Sequence, residues 1–164
     1  MQAGGGSHPR DFVLVVACEQ DHWNHARRLM NEYGGSLGLD LSFQNFEREL
    51  ENLESEYAPP SGAFVLAVEN DQFVGCAGLR RFAEGAGEIK RLYLVPEARG
   101  CGIGRALAEA IVKLARQIGY ERLLLDTLPT MAAAHSLYLS LGFKPLDAYR
   151  FNPVAGTAFL ELKF

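Results

Sequence analysis

The spacing of hydrophobic residues along this chain switches repeatedly between a strand period and a helix period. Phe12 to Cys18 is a β-rich apolar run and predicts a first strand. Asp21 is placed to cap a helix running to about Tyr33, where Gly34-Gly35 ends it. Ser42 is placed to cap a second helix. Phe43, Phe46, Leu50, Leu53 and Tyr57 then recur along one helical stripe, and Glu47, Glu49, Glu51, Glu54 and Glu56 cover the remaining surface. Pro59-Pro60 stops that helix. Ala63 to Glu69 and Phe73 to Leu79 read as a hairpin around Asn70-Asp71-Gln72. Arg80 to Gly87 reads as a polar loop and Glu88 to Val95 as a central strand. Ile103, Leu107, Ile111, Leu114 and Ile118 mark an amphipathic helix closed by Gly119. Arg122 to Thr127 is a short buried strand. Pro129 to Leu141 is a helix closed by Gly142, and Phe143 to Tyr149 and Ala158 to Phe164 are two final strands.

The turn between the central strand and the amphipathic helix carries the most chemistry. Pro96 ends the strand, and Gly100, Gly102 and Gly104 follow at alternate positions. A backbone without Cβ atoms lets a ligand approach closely. The unpaired N–H groups of the helix's first turn, with the helix dipole, favour an anion such as a phosphate. A nucleoside-triphosphate loop would need Lys-Ser/Thr after its last glycine, where Arg105-Ala106 stands. A dinucleotide fingerprint would need a third glycine where Arg105 or Leu107 stands.

Composition narrows the classes. A chain of 164 residues, 48% hydrophobic and 22% charged, suits one globular domain with its own core. We expect residues 11–164 to form that single domain and residues 1–10, with their Gly4-Gly5-Gly6 run, to be a flexible segment without the apolar stretch of a signal peptide. A net charge of −4 argues against general nucleic-acid binding, and no apolar run approaches the length of a membrane span. Cys18, Cys76 and Cys101 are scattered and odd in number, with no Cys-x-x-Cys. They fit a reducing cytoplasm and neither a disulfide framework nor a zinc site, and no metal is expected.

The run Arg99-Gly100-Cys101-Gly102-Ile103-Gly104 resembles the coenzyme A motif of the GNAT N-acetyltransferase superfamily, Gln/Arg-x-x-Gly-x-Gly/Ala. A second block, Ala134-His135-Ser136-Leu137-Tyr138-Leu139-Ser140-Leu141-Gly142-Phe143, is similar to that family's Ala-x-x-Leu-Tyr-x-x-x-Gly-Phe signature. The element order also resembles the family's. The resemblance implies an α/β (α+β) GNAT fold, a mixed central sheet of about six to seven strands flanked by four helices. It implies acetyl-CoA as co-substrate and direct transfer of acetyl to a primary amine (a small molecule, an amino-acid-like compound or a peptide) without an acyl-enzyme. The alternative is a non-catalytic acyl-CoA sensor of the same fold. A homodimer, common in the family, is compatible with either.

Carried over by motif, the phosphates would rest on backbone N–H groups from Gly100 through Cys101, Gly102, Ile103 and Gly104 to Arg105. Arg99 would shape the turn, and the Arg105 side chain is either a phosphate contact or an exposed helix charge. The pantetheine arm would pair with the backbone of Tyr93, Leu94 and Val95, with the N–H around Leu94 polarising the acyl oxygen. Tyr138 would protonate the departing thiolate, or else simply pack. Glu88 or Asp126 would accept the amine's proton, directly or through water, unless each is only a strand-end charge. Some relatives carry an asparagine where this chain has Met131, so the arm would rely here on backbone and on the smooth face of Ala132, Ala133 and Ala134. Tyr33, Tyr57, Tyr149, Arg150 and Asn152 are candidate walls of the acceptor pocket. The acidic second helix mildly favours a cationic acceptor, and Arg150 would suit a carboxylate.

Overall fold

The computed structural model describes residues 10–38, 40 and 45–164. The expected flexible start up to residue 9, the Ser42 cap and Phe43 lie outside them. Seven strands form one sheet in the order β1-β2-β3-β4-β5-β7-β6. The strands are β1 (Val13–Val16), β2 (Ala63–Glu69), β3 (Gln72–Ala83), β4 (Ala86–Leu94), β5 (Arg122–Thr127), β6 (Lys144–Pro145) and β7 (Ala158–Lys163). All neighbours run antiparallel except β4 and β5. The helices are α1 (Gln20–Leu37), α2 (Phe46–Glu51), α3 (Leu53–Glu56), α4 (Ile103–Ile118) and α5 (Ala132–Ser140).

Alternation along the strands splits the core in two. Val65, Ala67, Ala77, Leu79, Ile89, Leu123 and Leu125 face α4, whose Ile103, Leu107, Ala108, Ile111 and Ala115 are buried against them. The opposite face, Phe64, Leu66, Cys76 and Tyr93, packs under α1 and α3 through Trp23, Leu29, Met30, Leu53 and Tyr57. The buried seam of α4 is rotated from the expected stripe, because Ala108 and Ala115 allow closer approach to the sheet than Leu114 and Ile118, which are only partly buried.

Several boundaries differ from the sequence expectation. The first helix is capped by Glu19 in a reciprocal box with His22 rather than by Asp21, and it runs through Gly34-Gly35 to a left-handed Gly38. Phe46 packs against Gly34, where a Cβ would come within 2.9 Å of its ring, so tertiary contact carries the helix past the glycine pair. The second helix is two short pieces, α2 and α3, interrupted at Asn52. The stretch read as a polar loop is instead paired: Arg80 and Arg81 belong to β3, and only Glu84-Gly85 turns. Of the two final strands, the first shrinks to Lys144–Pro145.

Two irregularities shape the sheet's centre. β4 and β5 pair only at Ala86↔Arg122, Gly87↔Leu123 and Glu88↔Leu124, then separate. At the same point the β3–β4 register slips between Cys76↔Tyr93 and Gly78↔Lys90, placing one extra residue in β4. Such a bulge bends its strand and raises its twist, here away from β5. Arg91 occupies the bulge with φ +62°, a left-handed conformation costing a non-glycine residue about 1–2 kcal/mol.

The bulge is held from α2. Arg91 Nε donates to Glu49 Oε2 at 2.8 Å, and both side chains are almost wholly buried. Glu49 Oε1 accepts from Arg80 at 2.9 Å and from the Tyr57 hydroxyl at 3.0 Å. Phe46 lies under the Arg91 guanidinium at 4.9 Å. Glu49, one of the five acidic residues assigned to a solvated helix face, is thus 3% exposed and belongs to the core. Glu49→Ala strips two buried guanidinium groups of a shared carboxylate and should cost about 3–5 kcal/mol in urea denaturation. Alanine at the exposed neighbour Glu47 should change stability by less than about 0.5 kcal/mol.

Candidate active site

Where β4 leaves β5, a groove of about 580 Å³ opens between β4, the start of α4 and the face of α5. Its floor and rim include Leu92, Leu94, Gly100, Gly102 and Ala134. The glycine turn is built from β4 outward. After Val95 a single 3-10 turn, Pro96–Ala98, redirects the chain. Arg99 folds back, its Nε donating to the Leu94 carbonyl at 3.1 Å and its guanidinium lying 5.8 Å from the Tyr93 ring. Gly100 and Gly102 take φ +77° and +84°, with open space where a Cβ would project. A side chain there would be strained and would enter the groove.

Gly102 caps α4 without any side-chain hydrogen bond. Ala106 is the first helical residue to bond back, to Gly102 at 3.1 Å. The N–H groups of Ile103, Gly104 and Arg105 therefore have no helical acceptor, and they concentrate the positive end of the helix dipole at the groove. The Ile103 side chain is fully buried, so only its amide is available. The Cys101 thiol reaches back to the Arg99 carbonyl at 3.5 Å, and Arg105 ties α4 to α5 by donating to Ser140 and pairs with Glu109 at 3.4 Å.

Antiparallel alternation decides which strand amides are free. Val95 N–H is bonded to the Val74 carbonyl at 2.9 Å, and two residues earlier Tyr93 lies opposite Cys76. Bonded pairs recur every second residue, so Leu94 turns its N–H and C=O toward the opening. Of the three residues expected to offer backbone groups, Tyr93 and Val95 keep their amides inside the sheet. Leu94 alone presents its own.

A narrow recess of about 40 Å³ adjoins the groove and shares Tyr33, Leu37, Leu92 and Ala134 with it. Tyr138, Asp126, Lys90, Thr127 and Asn152 line this recess. Tyr138 is fixed by the end of its helix. Gly142, at φ +98°, lets Phe143 N–H bond the Tyr138 carbonyl and Gly142 N–H bond that of Leu139, each at 3.1 Å. The Phe143 ring then packs edge-on against Tyr138 at 5.6 Å, the apolar contact that accompanies this helix ending. The spacing Tyr-x-x-x-Gly-Phe thus has a mechanical reason. Burial pushes the Tyr138 phenol above its ordinary value, with Tyr33 and Asp126 acting in the same direction, so it remains protonated.

The two candidate carboxylates differ sharply. Glu88 is wholly buried and both its oxygens are taken. Oε1 accepts from Arg80 at 3.2 Å, and Oε2 accepts from the Tyr149 hydroxyl at 2.8 Å and from Arg150. It ties the β6–β7 connection to the central strand. Asp126 lies on the recess wall, where its Oδ2 accepts from Asn152 at 3.2 Å. Among the expected wall residues, Tyr33 and Asn152 line the recess, and Tyr149 and Arg150 sit behind it on Glu88. Tyr57 is completely buried beneath Glu49, so its assignment as a wall is corrected. Burial raises the Cys76 thiol to about 12, leaving it inert.

Residues 16–143 match the acetyltransferase (GNAT) family. The chain belongs to the GNAT acetyltransferase family. It is 37% identical over 153 residues to an uncharacterized N-acetyltransferase of Schizosaccharomyces pombe, spanning 92% of this chain and 93% of that one. An acetyltransferase of the GNAT family from Staphylococcus aureus superposes with a TM-score of 0.77 at 18% identity, covering 93% of this chain and 99% of that one. A Salmonella typhimurium protein solved with its cofactor acetyl-CoA superposes at 0.65 and 19% identity, over 93% of each chain. These likenesses establish the GNAT fold, which the seven-stranded mixed sheet with helices on both faces displays. No helix among the described residues is long and apolar enough to cross a membrane.

Sequence reading missed Lys90. It is 3% exposed, and burial lowers its ammonium to about 8, with the Arg91 charge adding to the shift. The available signal was its position in a central strand whose neighbours are covered on both faces. From pH 8 to 10.5 the unfolded chain holds a proton that the folded chain has released, so this lysine's contribution to stability rises with pH across that window. The stability difference between Lys90→Met and the parent, followed by urea denaturation, should move in the parent's favour by about 3 kcal/mol from pH 7 to pH 10.5.

Proposed function

We propose that this protein transfers an acetyl group from acetyl-CoA to a primary amine by direct attack within a ternary complex. The observation that carries the reading is the junction of two chambers. A groove with an uncapped helix N-terminus and an open strand edge meets, at Leu92 and Ala134, a recess holding a buried phenol and a carboxylate. The cofactor's diphosphate would rest on the amides of Gly100 to Arg105, and its pantetheine arm would lie along β4 and the alanine face of α5. The acyl oxygen would accept from Leu94 N–H.

In the recess, Asp126 takes one proton from the amine's ammonium form. The neutral nitrogen attacks the thioester carbon, forming the N–C bond, and the C–S bond breaks. The thiolate takes the phenolic proton of Tyr138. The new amide nitrogen sheds its second proton, which restores the phenol, and Asp126 releases its proton to solvent. A phenol raised by burial is a weak acid, yet the same dry surroundings raise the thiol, so the pair remains matched. Asp126 suits the base role because it faces the recess. Glu88, with both oxygens engaged and no exposure, suits an anchor.

Tyr138→Phe should lower kcat roughly a hundred-fold with little change in acetyl-CoA affinity, read by thiol release and calorimetry. Asp126→Asn should displace the acid limb of the pH–rate profile, whereas Glu88→Gln should lower stability and leave that limb in place. Gly102→Val should raise the Kd for coenzyme A at least about tenfold by blocking the diphosphate site and straining the cap. Tight acetyl-CoA binding with no turnover on any amine would favour the sensor reading instead.

A further inference from the structure

Lys90 and Asp126 face each other in the recess without bonding. Lys90 Nζ stands 4.0 Å from Asp126 Oδ1, beyond hydrogen-bond reach. No hydrogen bond joins the Lys90 ammonium to a described residue. The neighbouring guanidinium groups are better provided. Arg91 holds Glu49, Arg80 holds Glu49 and Glu88, and Arg150 holds Glu88. The Thr127 hydroxyl, one residue on from Asp126, is buried with no partner among the described residues. Lys90 and Thr127 line the same recess.

A buried ammonium whose nearest carboxylate stands 4.0 Å away, beyond hydrogen-bond reach, is incompletely compensated, and an incoming carboxylate would add charge-assisted hydrogen bonds. A simple alkylammonium would add a second positive charge next to Lys90, leaving Asp126 as the one carboxylate lining the recess for two cations. A cation and an anion held 4.0 Å apart, each with unused bonding capacity, complement a zwitterion whose two charges are borne on adjacent atoms of one carbon.

We propose that the acceptor is an α-amino acid, its carboxylate held by Lys90 Nζ and Thr127 Oγ1 and its nitrogen directed to Asp126. This assignment rests on the acetyl-transfer reading and names its substrate class. A peptide amine lacks the adjacent carboxylate, forgoes the contact with Lys90 and should be a poorer acceptor. The side chain of the amino acid projects out of the recess, so Lys90 selects the head group and not the residue type.

The test is a thiol-release assay with acetyl-CoA on L-amino acids paired with their α-carboxamides. The parent protein should favour the acid over its carboxamide by at least about a hundred-fold in kcat/KM, because the carboxamide leaves a buried charge unpaired. Lys90→Met should erase most of that preference, and Lys90→Arg should retain part of it, with acetyl-CoA binding by calorimetry confirming that each variant is folded. Thr127→Val gives a second, milder reduction should Lys90→Met not fold. A parent that acetylates carboxamides as well as acids overturns the Lys90 assignment and leaves acetyl transfer standing. A parent that acetylates no member of the panel yet acetylates other amines also overturns the assignment alone. A parent that binds acetyl-CoA and acetylates nothing overturns both.

Discussion

The separation of β4 from β5 is the constraint on which the rest of this structure depends, and the buried Arg91–Glu49 pair holds the bulge at which it occurs. A parallel pair left to itself would continue bonding beyond Glu88↔Leu124. One inserted residue at Arg91 bends β4 out of plane, and that residue sits in a conformation it would not adopt freely. The local cost is opposed by a charge-assisted hydrogen bond of 2.8 Å, by the Phe46 ring beneath the guanidinium and by the Cys76 thiol donating to the Arg91 carbonyl at 3.4 Å. The opened edge turns the Leu94 amide away from β3 and toward the groove, where a ligand can use it.

The same pair makes α2 part of the sheet rather than a cover upon it. Glu49 reaches from a six-residue helix, too short to be stable by itself, into a set of buried charges that runs through Arg80 and Glu88 to Arg150. Each desolvated charge in that set requires the next. Carboxylates and guanidinium groups that would be individually unfavourable inside a protein therefore fix α2, β3, β4 and the β6–β7 connection in one arrangement. The chain uses Glu88 to secure the back wall of the recess, which leaves Asp126 facing its interior.

Much of the fold was legible because its strongest signals are local. The Asn70-Asp71 turn, with φ of 49° and 59° at its two residues, joins strands whose alternation was plain. The glycine turn and the Tyr138–Phe143 helix ending were readable because each needs particular residues at fixed offsets. What was illegible depends on contacts distant in sequence. Nothing around Gly34-Gly35 announces that Phe46 will pack there and prolong α1. The acidic residues of α2 look alike, and only pairing with Arg91, 42 residues away, distinguishes Glu49 from its exposed neighbours. Arg80 reads as loop because a half-buried guanidinium group in a strand implies partners that periodicity does not reveal.

The polarity of the two chambers follows from how each is walled. The groove's polar donors on the α4 side are backbone: helix amides that lack helical acceptors beside glycines that add no bulk, facing a strand edge whose Leu94 carbonyl is already occupied by Arg99. Backbone donors are fixed in place and carry no rotamer freedom to lose, so they favour a large anionic ligand of constant shape. The recess is bordered by side chains, among them Lys90, Asp126, Thr127 and Tyr138. Leu92 and Ala134 belong to both chambers and are apolar, so a reacting carbonyl at their junction would meet little competing water.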